Sequence, residues 1–328
     1  MATTSDSAAI AATAKRDYAP HMHEYAQRMN RVLDYVDTNL GTPLELSALA
    51  QIAHFSPFHF HRMFATWMGE TLGDYVRRRR LEQGAWLLFT QSDISVLQAA
   101  ISVGFSSGEA FSRAFKVHFD ATPSRWRDAE NAKRSGIATK SNLDQSQSNF
   151  HQAFIRCKRD DSDSFSLMEN LLVNVKIIDL ASYRIAYLRH VGPYGESVGR
   201  FWGTFHKTRV AHGLTGNMFG IGHDDPAIAP PDKCRYDACV EIAENADVKT
   251  PFSVARLPGG RCAVYEFRGD AKNIGAVWAA MLGQWLPGSG MQCAARPMFE
   301  WYRDTDAMDE ITGAFSCALC IPVEPLSR

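Results

Sequence analysis

The chain has 328 residues, a formal net charge of −1, 45% hydrophobic residues and 22% charged ones. That length and apolar content can fill a core in each of two domains. The near-neutral balance excludes a protein that holds nucleic acid by bulk charge alone, and no apolar run reaches the roughly 18 residues a membrane span requires, so no membrane partner is expected.

Residues 1–22 are rich in Ala, Thr and Ser without the apolar stretch of a signal peptide, and read as a disordered tail. The seven cysteines are therefore expected as reduced thiols in a cytoplasmic protein. From 23 to 128 the spacing predicts helices only, and one pattern occurs twice. The first copy is Leu46-Ser47-Ala48-Leu49-Ala50, then Phe55, then Phe60-His61-Arg62-Met63-Phe64. The second is Val96-Leu97-Gln98-Ala99-Ala100, then Gly104-Phe105, then Phe111-Ser112-Arg113-Ala114-Phe115. In each, a short apolar helix, a tight turn and a second helix follow one another, which is the layout of a helix-turn-helix. Two such units on one polypeptide suit the reading of double-stranded DNA.

The first candidate recognition helix opens on Ser56-Pro57, a helix start signal. Phe60, Met63, Phe64 and Trp67 then make an inward stripe, leaving Phe58, His61 and Arg62 outward. Arg62 can fork onto guanine, His61 can donate to an acceptor edge, and Phe58 can touch a thymine methyl. In the second unit Phe111 and Phe115 point inward, while Glu109, Ser112, Arg113 and Lys116 lie outside. Arg113 repeats the role of Arg62. Thr122-Pro123 starts another helix, whose Arg125 and Arg127 face phosphates. The joining helix, 72–88, is about 25 Å long, a spacer suited to recognition helices in major grooves roughly 34 Å apart. Arg77-Arg78-Arg79-Arg80 within it reads either as a solvated face or as part of one basic surface. The whole region from His21 to Arg134 carries only 13 Lys plus Arg against 12 Asp plus Glu, so placement must do what excess charge does not.

From 129 to about 170 the composition collapses into Lys, Ser, Asn, Gln and Asp, which reads as a flexible linker. Residues 171–328 then predict an α+β domain of two strand-helix-strand-strand units. The first is a strand at 183–188, a helix at 194–211, and strands at 218–222 and 236–242. The second is a strand at 262–267, a helix at 273–286, and strands at 298–303 and 315–323. Two such units side by side leave a concave seam. Glu300 sits in an otherwise apolar, aromatic strand, where a carboxylate is costly to bury unless a cation or a donor meets it. Tyr302 shares its face, and Trp202, Phe219, Tyr236, Trp278 and Trp285 are candidate aromatic walls. Cys317 and Cys320 form a C-x-x-C within a strand, where positions three apart face opposite sides, so neither a metal site nor a cofactor is expected there or elsewhere.

Taken together, Phe60-His61-Arg62-Met63-Phe64, Gly69-Glu70-Thr71-Leu72-Gly73-Asp74-Tyr75, Val103-Gly104-Phe105-Ser106-Ser107 and Phe119-Asp120-Ala121-Thr122-Pro123-Ser124-Arg125-Trp126-Arg127 resemble the DNA-binding domain of the AraC/XylS family of bacterial transcription regulators. That resemblance implies base contacts at Phe58, His61 and Arg62, and at Gly108, Glu109, Ser112 and Arg113, with RNA polymerase as a further partner. The second region resembles the GyrI-like effector-binding domain through His190-Val191-Gly192-Pro193-Tyr194, Arg235-Tyr236-Asp237-Ala238, Leu257-Pro258-Gly259-Gly260 and Pro297-Met298-Phe299-Glu300-Trp301-Tyr302. It implies two pseudo-symmetric units that bind a hydrophobic, often cationic, small molecule in their seam. The expected function is a non-enzymatic, ligand-responsive transcription regulator in which the second domain biases DNA binding through the linker. Two rivals remain for that domain. One is a hydrolase of reactive toxins using Glu300 and a tyrosine as acid and base; the other is a protein-binding module.

Overall fold

The computed structural model describes residues 23–134 and 174–325, apart from 92, 227, 272, 295 and 304–313. The tail expected at 1–22 and most of the expected linker lie outside the described residues. Residues 129–134 do not belong to a linker: they complete a helix, because Ala129, Glu130, Ala132, Lys133 and Arg134 are favourable helix formers despite their polarity.

The first domain is all helical: α1 (23–38), α2 (Leu46–Ile52), α3 (Pro57–Met68), α4 (Leu72–Thr90), α5 (Val96–Ser102), α6 (Gly108–Phe119) and α7 (Pro123–Arg134). Its two lobes have separate cores. Met29, Val32, Leu33 and Val36 of α1 close over Leu49, Phe60, Phe64 and Tyr75 in the first. Leu81, Ala85 and Leu88 of α4 meet Ala99, Phe111 and Phe115 in the second. Side chains cap the helix starts, with Thr71 accepting from the Asp74 amide at 3.2 Å and Ser107 from the Ala110 amide at 3.1 Å.

The two turns superpose in their hydrogen bonding. Phe55 N donates to Ala50 O at 2.9 Å, and Phe105 N donates to Ala100 O at the same distance. Each turn needs one residue with positive φ, His54 at 54° and Gly104 at 86°. At Gly104 a Cβ would lie 2.5 Å from Leu40 O, so only glycine fits; His54 occupies the left-handed region with its side chain exposed.

The second domain is an antiparallel sheet with helices on one face. Its elements are β1 (Lys176–Leu180), β2 (Tyr183–Val191), α8 (Glu196–Ala211), β3 (Met218–Gly222), β4 (Arg235–Glu241), β5 (Ser253–Leu257), β6 (Gly260–Gly269), α9 (Ile274–Ala280), β7 (Met291–Cys293), β8 (Phe299–Tyr302) and β9 (Phe315–Pro325). The order β1-β6-β9-β8-β3-β4-β2-β5 is a pseudo-two-fold, with β3 and β8 antiparallel at its centre. Both expected strand-helix-strand-strand units are present. The structure adds β1 and β5, each crossing to pair with the other unit, and the short β7 on β9. Beyond Ala280 helix α9 runs on through a π-helical turn at Met281–Trp285.

The domains meet directly. A stripe of α1 (Gln27, Asn30, Asp34, Asp37) and one face of α4 lie against β2, β4, β5 and the loop after β3. Arg235, 1% exposed, donates to Asp37 at 2.5 Å and to the Tyr75 hydroxyl at 3.0 Å, while its other nitrogens hold Asp224 at 2.9 Å. Arg79 bridges Asp37, Glu82 and Asp224. A second cluster joins Arg189 to Asp34 at 2.8 Å and to Asp237 at 2.6 Å, with the Tyr187 hydroxyl donating to Asp34 at 2.6 Å.

Candidate DNA-reading and effector sites

On α3, Phe60 and Phe64 are fully buried, which turns His61 and Arg62 outward, and both are exposed. The side chain of Phe58 lies outside the described residues. Trp67, expected inward, is 36% exposed; two turns on from Phe60, at the end of α3, it has left the buried stripe. On α6, Phe111, Ala114 and Phe115 are buried, leaving Glu109, Arg113 and Lys116 exposed and Ser112 half-buried. Gly108 is the first residue of that helix. The Glu109 carboxyl is held below the usual carboxylate range by its own backbone amide and by Ser107, as expected beside a helix N-terminus. Arg125 is exposed on the first turn of α7.

Other expected cations are spent inside the domain. Arg127 donates to Ile94 O at 2.8 Å, tying α7 to the loop before α5 instead of facing phosphate. The arginine run is not a solvated face. Arg78 lies between Glu70 and Glu82, Arg79 is buried in the domain interface, and Arg80 donates to Leu40 O and Thr42 O at 3.0 and 2.9 Å. Only Arg77 of the four is exposed. The interface lies on α1, α4 and the last residue of α3, where Lys233 donates to Met68 O at 2.8 Å, and the outward stripes of α3 and α6 lie outside it.

The seam forms where β3 and β8 pair, with α8 and α9 above. Alternation sends Glu300 and Tyr302 to the helix side, and Phe299 and Trp301 to the opposite core. Glu300 accepts from the Tyr236 hydroxyl at 2.7 Å and the Tyr302 hydroxyl at 2.9 Å, and Trp278 of α9 hydrogen-bonds to it as well. Trp202 of α8 donates to the Tyr236 hydroxyl at 3.1 Å and meets the Tyr302 ring edge-on at 5.1 Å. Burial pushes the Glu300 carboxyl above its ordinary value, and the donors from Tyr236, Tyr302 and Trp278 offset only part of this. Burial likewise raises Tyr236 and Tyr302, next to the carboxylate. Among the described residues no guanidinium or ammonium meets Glu300, which lies half-buried on the wall of a cleft it shares with Trp202, Trp278 and Tyr302.

Two expected walls are misplaced. Phe219 belongs to the opposite face, packed on Phe299 and Trp301 and fully buried, because in β3 it is Gly220 that pairs with Glu300. Trp285 is 8% exposed in the core beneath α9 with Leu282 and Leu286, the interior fate its helical spacing allowed. The residue that sequence reasoning missed is Gly220. A Cβ there would fall 1.9 Å from the Tyr236 hydroxyl and 2.6 Å from Glu300 Oε2, so the acid–tyrosine pair exists only over a glycine. The signal was present in Phe219-Gly220-Ile221-Gly222, a strand with two residues lacking side chains on one face. Cys317 and Cys320 are fully buried on opposite faces, as the alternation required.

Comparison with known proteins fits both halves. Residues 49–129 match a helix-turn-helix domain family, and residues 174–324 match the GyrI-like small molecule binding domain. The probable transcription factor PqrA of Proteus vulgaris is 37% identical over 102 residues, which are 30% of this chain and 83% of that protein. The chain belongs to the AraC family of transcription regulators. The multiple antibiotic resistance protein MarA of Escherichia coli is another relative of this AraC-family chain, 33% identical over 99 residues, 30% of this chain and 77% of its own. The putative transcriptional regulator YosT of the SPbeta prophage of Bacillus subtilis is matched along 100% of its length, 28% identical over 155 residues, 46% of this chain. This AraC-type regulator thus joins a DNA-binding domain to a GyrI-like small-molecule binding domain, and PqrA and YosT carry the names of transcription regulators, not of enzymes. No helix among its described residues is long and apolar enough to cross a membrane.

Proposed function

We propose that this regulator responds to a hydrophobic cation bound in the seam, with Glu300 as counter-ion and Trp202, Tyr236, Trp278 and Tyr302 as its aromatic surround. One observation carries the reading: a carboxyl lies among aromatic rings and hydroxyl donors with no cation beside it among the described residues. Such a group is expensive to ionise alone and cheap to ionise beside a guest that brings positive charge. The rings add their own attraction for that charge. In the DNA-binding domain, Arg62 and Arg113 read guanine edges from the two recognition helices. His61, Glu109 and Ser112 make the neighbouring base contacts, Gly108 lets α6 approach closely, and Lys116 and Arg125 face phosphates. RNA polymerase is the further partner through which bound regulator alters transcription.

Calorimetric titration of the full chain with tetraphenylphosphonium tests the first part. Glu300→Gln should weaken binding at least tenfold; an unchanged affinity removes Glu300 from the site. For the second part, a duplex selected from random sequence serves as ligand in a mobility-shift titration at fixed salt. Arg62→Ala and Arg113→Ala should each cost about 1–3 kcal/mol of specific affinity, and if neither does, the base-reading assignment fails.

A further inference from the structure

The face of α4 that meets the second domain is continuous. Arg79, Gln83, Trp86 and Thr90 follow one another at steps of three and four, so they lie on one side of the helix. Arg79 is fixed at one end of this stripe by the ion pair with Asp224. On the same helix, Ile228 from the loop after β3 packs into the core built by Leu81, Ala85 and Leu88. Between these anchors, Trp86 leaves its own domain and packs against the apolar cluster under α9, the cluster that Trp278 and Tyr302 also join. Gln83, Trp86 and Thr90 line one cleft with Trp202, Trp278 and Glu300. Both Gln83 and Trp86 remain partly exposed within it.

We propose that the effector site is shared between the domains, with α4 of the DNA-binding domain as its outer wall and Trp86 and Gln83 in contact with the bound molecule. This rests on the reading of the seam as an effector site and deepens it. The occupant is an aromatic or amphipathic cation large enough to reach from Glu300 to Trp86, with its positive charge at the carboxylate and its apolar body between Trp278 and Trp86. The anchors make this wall a fixed part of the site. Arg235 and Asp224, buried between the domains, hold α4 in register with β4 through Tyr75 and Arg79, and the next residue of β4, Tyr236, carries the hydroxyl bonded to Glu300. A ligand seated there touches the helix that spaces α3 from α6, so binding of effector and of DNA must affect one another reciprocally if α4 shifts.

The test is calorimetry on the full chain with tetraphenylphosphonium as probe, comparing wild type with Glu300→Gln, Trp86→Ala, Trp86→Phe and Gln83→Glu. Loss of the Trp86 ring should weaken binding roughly fivefold, the size expected for one aromatic ring packed on the apolar body of the ligand, and Trp86→Phe should restore part of it. Gln83→Glu adds a carboxylate to the wall and should tighten binding in a salt-sensitive way. Because Gln83 is partly exposed, that variant decides the matter even if Trp86→Ala unfolds. Affinity unchanged in both Trp86→Phe and Gln83→Glu, with Glu300→Gln still defective, overturns the shared site and leaves the seam reading standing. Affinity unchanged in Glu300→Gln, or no uptake by wild type at millimolar probe, overturns the seam reading, and the shared site falls with it.

Discussion

Two buried acidic centres of this molecule, one at the domain interface and one in the seam, are built on opposite terms. At the domain interface, burial would raise Asp37 and Asp224, but Arg235 and Arg79 outweigh it; Asp37 is pulled down to about 2 and Asp224 lower still. In the seam, burial acts on Glu300 in the same direction and no cation among the described residues answers it, so the carboxyl ends above its ordinary value. Arg235 and Tyr236 are neighbours in β4, pointing to opposite faces, one holding the DNA-binding domain and the other holding Glu300. The contrast separates structure from function. An acid whose cation is part of the chain fixes two domains, whereas the acid met by hydroxyls and rings is the one we propose receives a guest.

Breaking the first centre should have the largest effect. Asp224→Ala removes the partner of two buried guanidinium groups, a loss of about 3–5 kcal/mol in stability for a buried pair, read by denaturant unfolding of the full chain. A cost below about 1 kcal/mol, the value of an exposed pair, would mean that the interface opens in solution. Breaking the second centre should be milder. Gly220→Ala forces the Tyr236 hydroxyl off Glu300, an overpacking of about 1–3 kcal/mol. Its signature should be loss of tetraphenylphosphonium binding with DNA affinity retained. Binding equal to wild type would show that the tyrosine does not shape the site.

Much of this was legible beforehand, for reasons that differ between the halves. The duplicated helix-turn-helix announces itself because apolar periodicity and turn residues are local, and the structure returns α3, α4 and α6 nearly as spaced. Glu300 was legible as an anomaly, a charge where alternation demands apolar side chains. What failed depended on distant partners. Arg79 looks like surface in the sequence, but Asp37 and Asp224 reach it from elsewhere in the fold and bury it between the domains, while its neighbour Arg78 is taken up by Glu70 and Glu82 close by in the chain. Phe219 was assigned to the wrong face because strand register, not composition, decides which residue of β3 sits opposite Glu300. Strands β1 and β5 escaped because they are edges that each pair with the other unit, and β1 buries almost nothing that alternation would reveal. The contact of Trp86 with the second domain had no local signal, since an aromatic on a helix most often serves its own core.

The smallest expected effect is also the sharpest test of the difference between the two centres. The proposed cation needs Glu300 ionised, and burial holds that carboxyl above its usual range. Affinity for tetraphenylphosphonium should therefore be level well above that raised pKa and fall as pH drops through it, by at most about tenfold per unit or 1.4 kcal/mol. The interface acids keep their charge across the same window, since their pKa values are shifted downward, so the domains stay docked while the ligand is lost. An uncharged aromatic of similar size should show no such fall. If tetraphenylphosphonium binds equally across that range, the cation is not meeting a titrating carboxylate, and the seam recognises its guest through the aromatic rings alone.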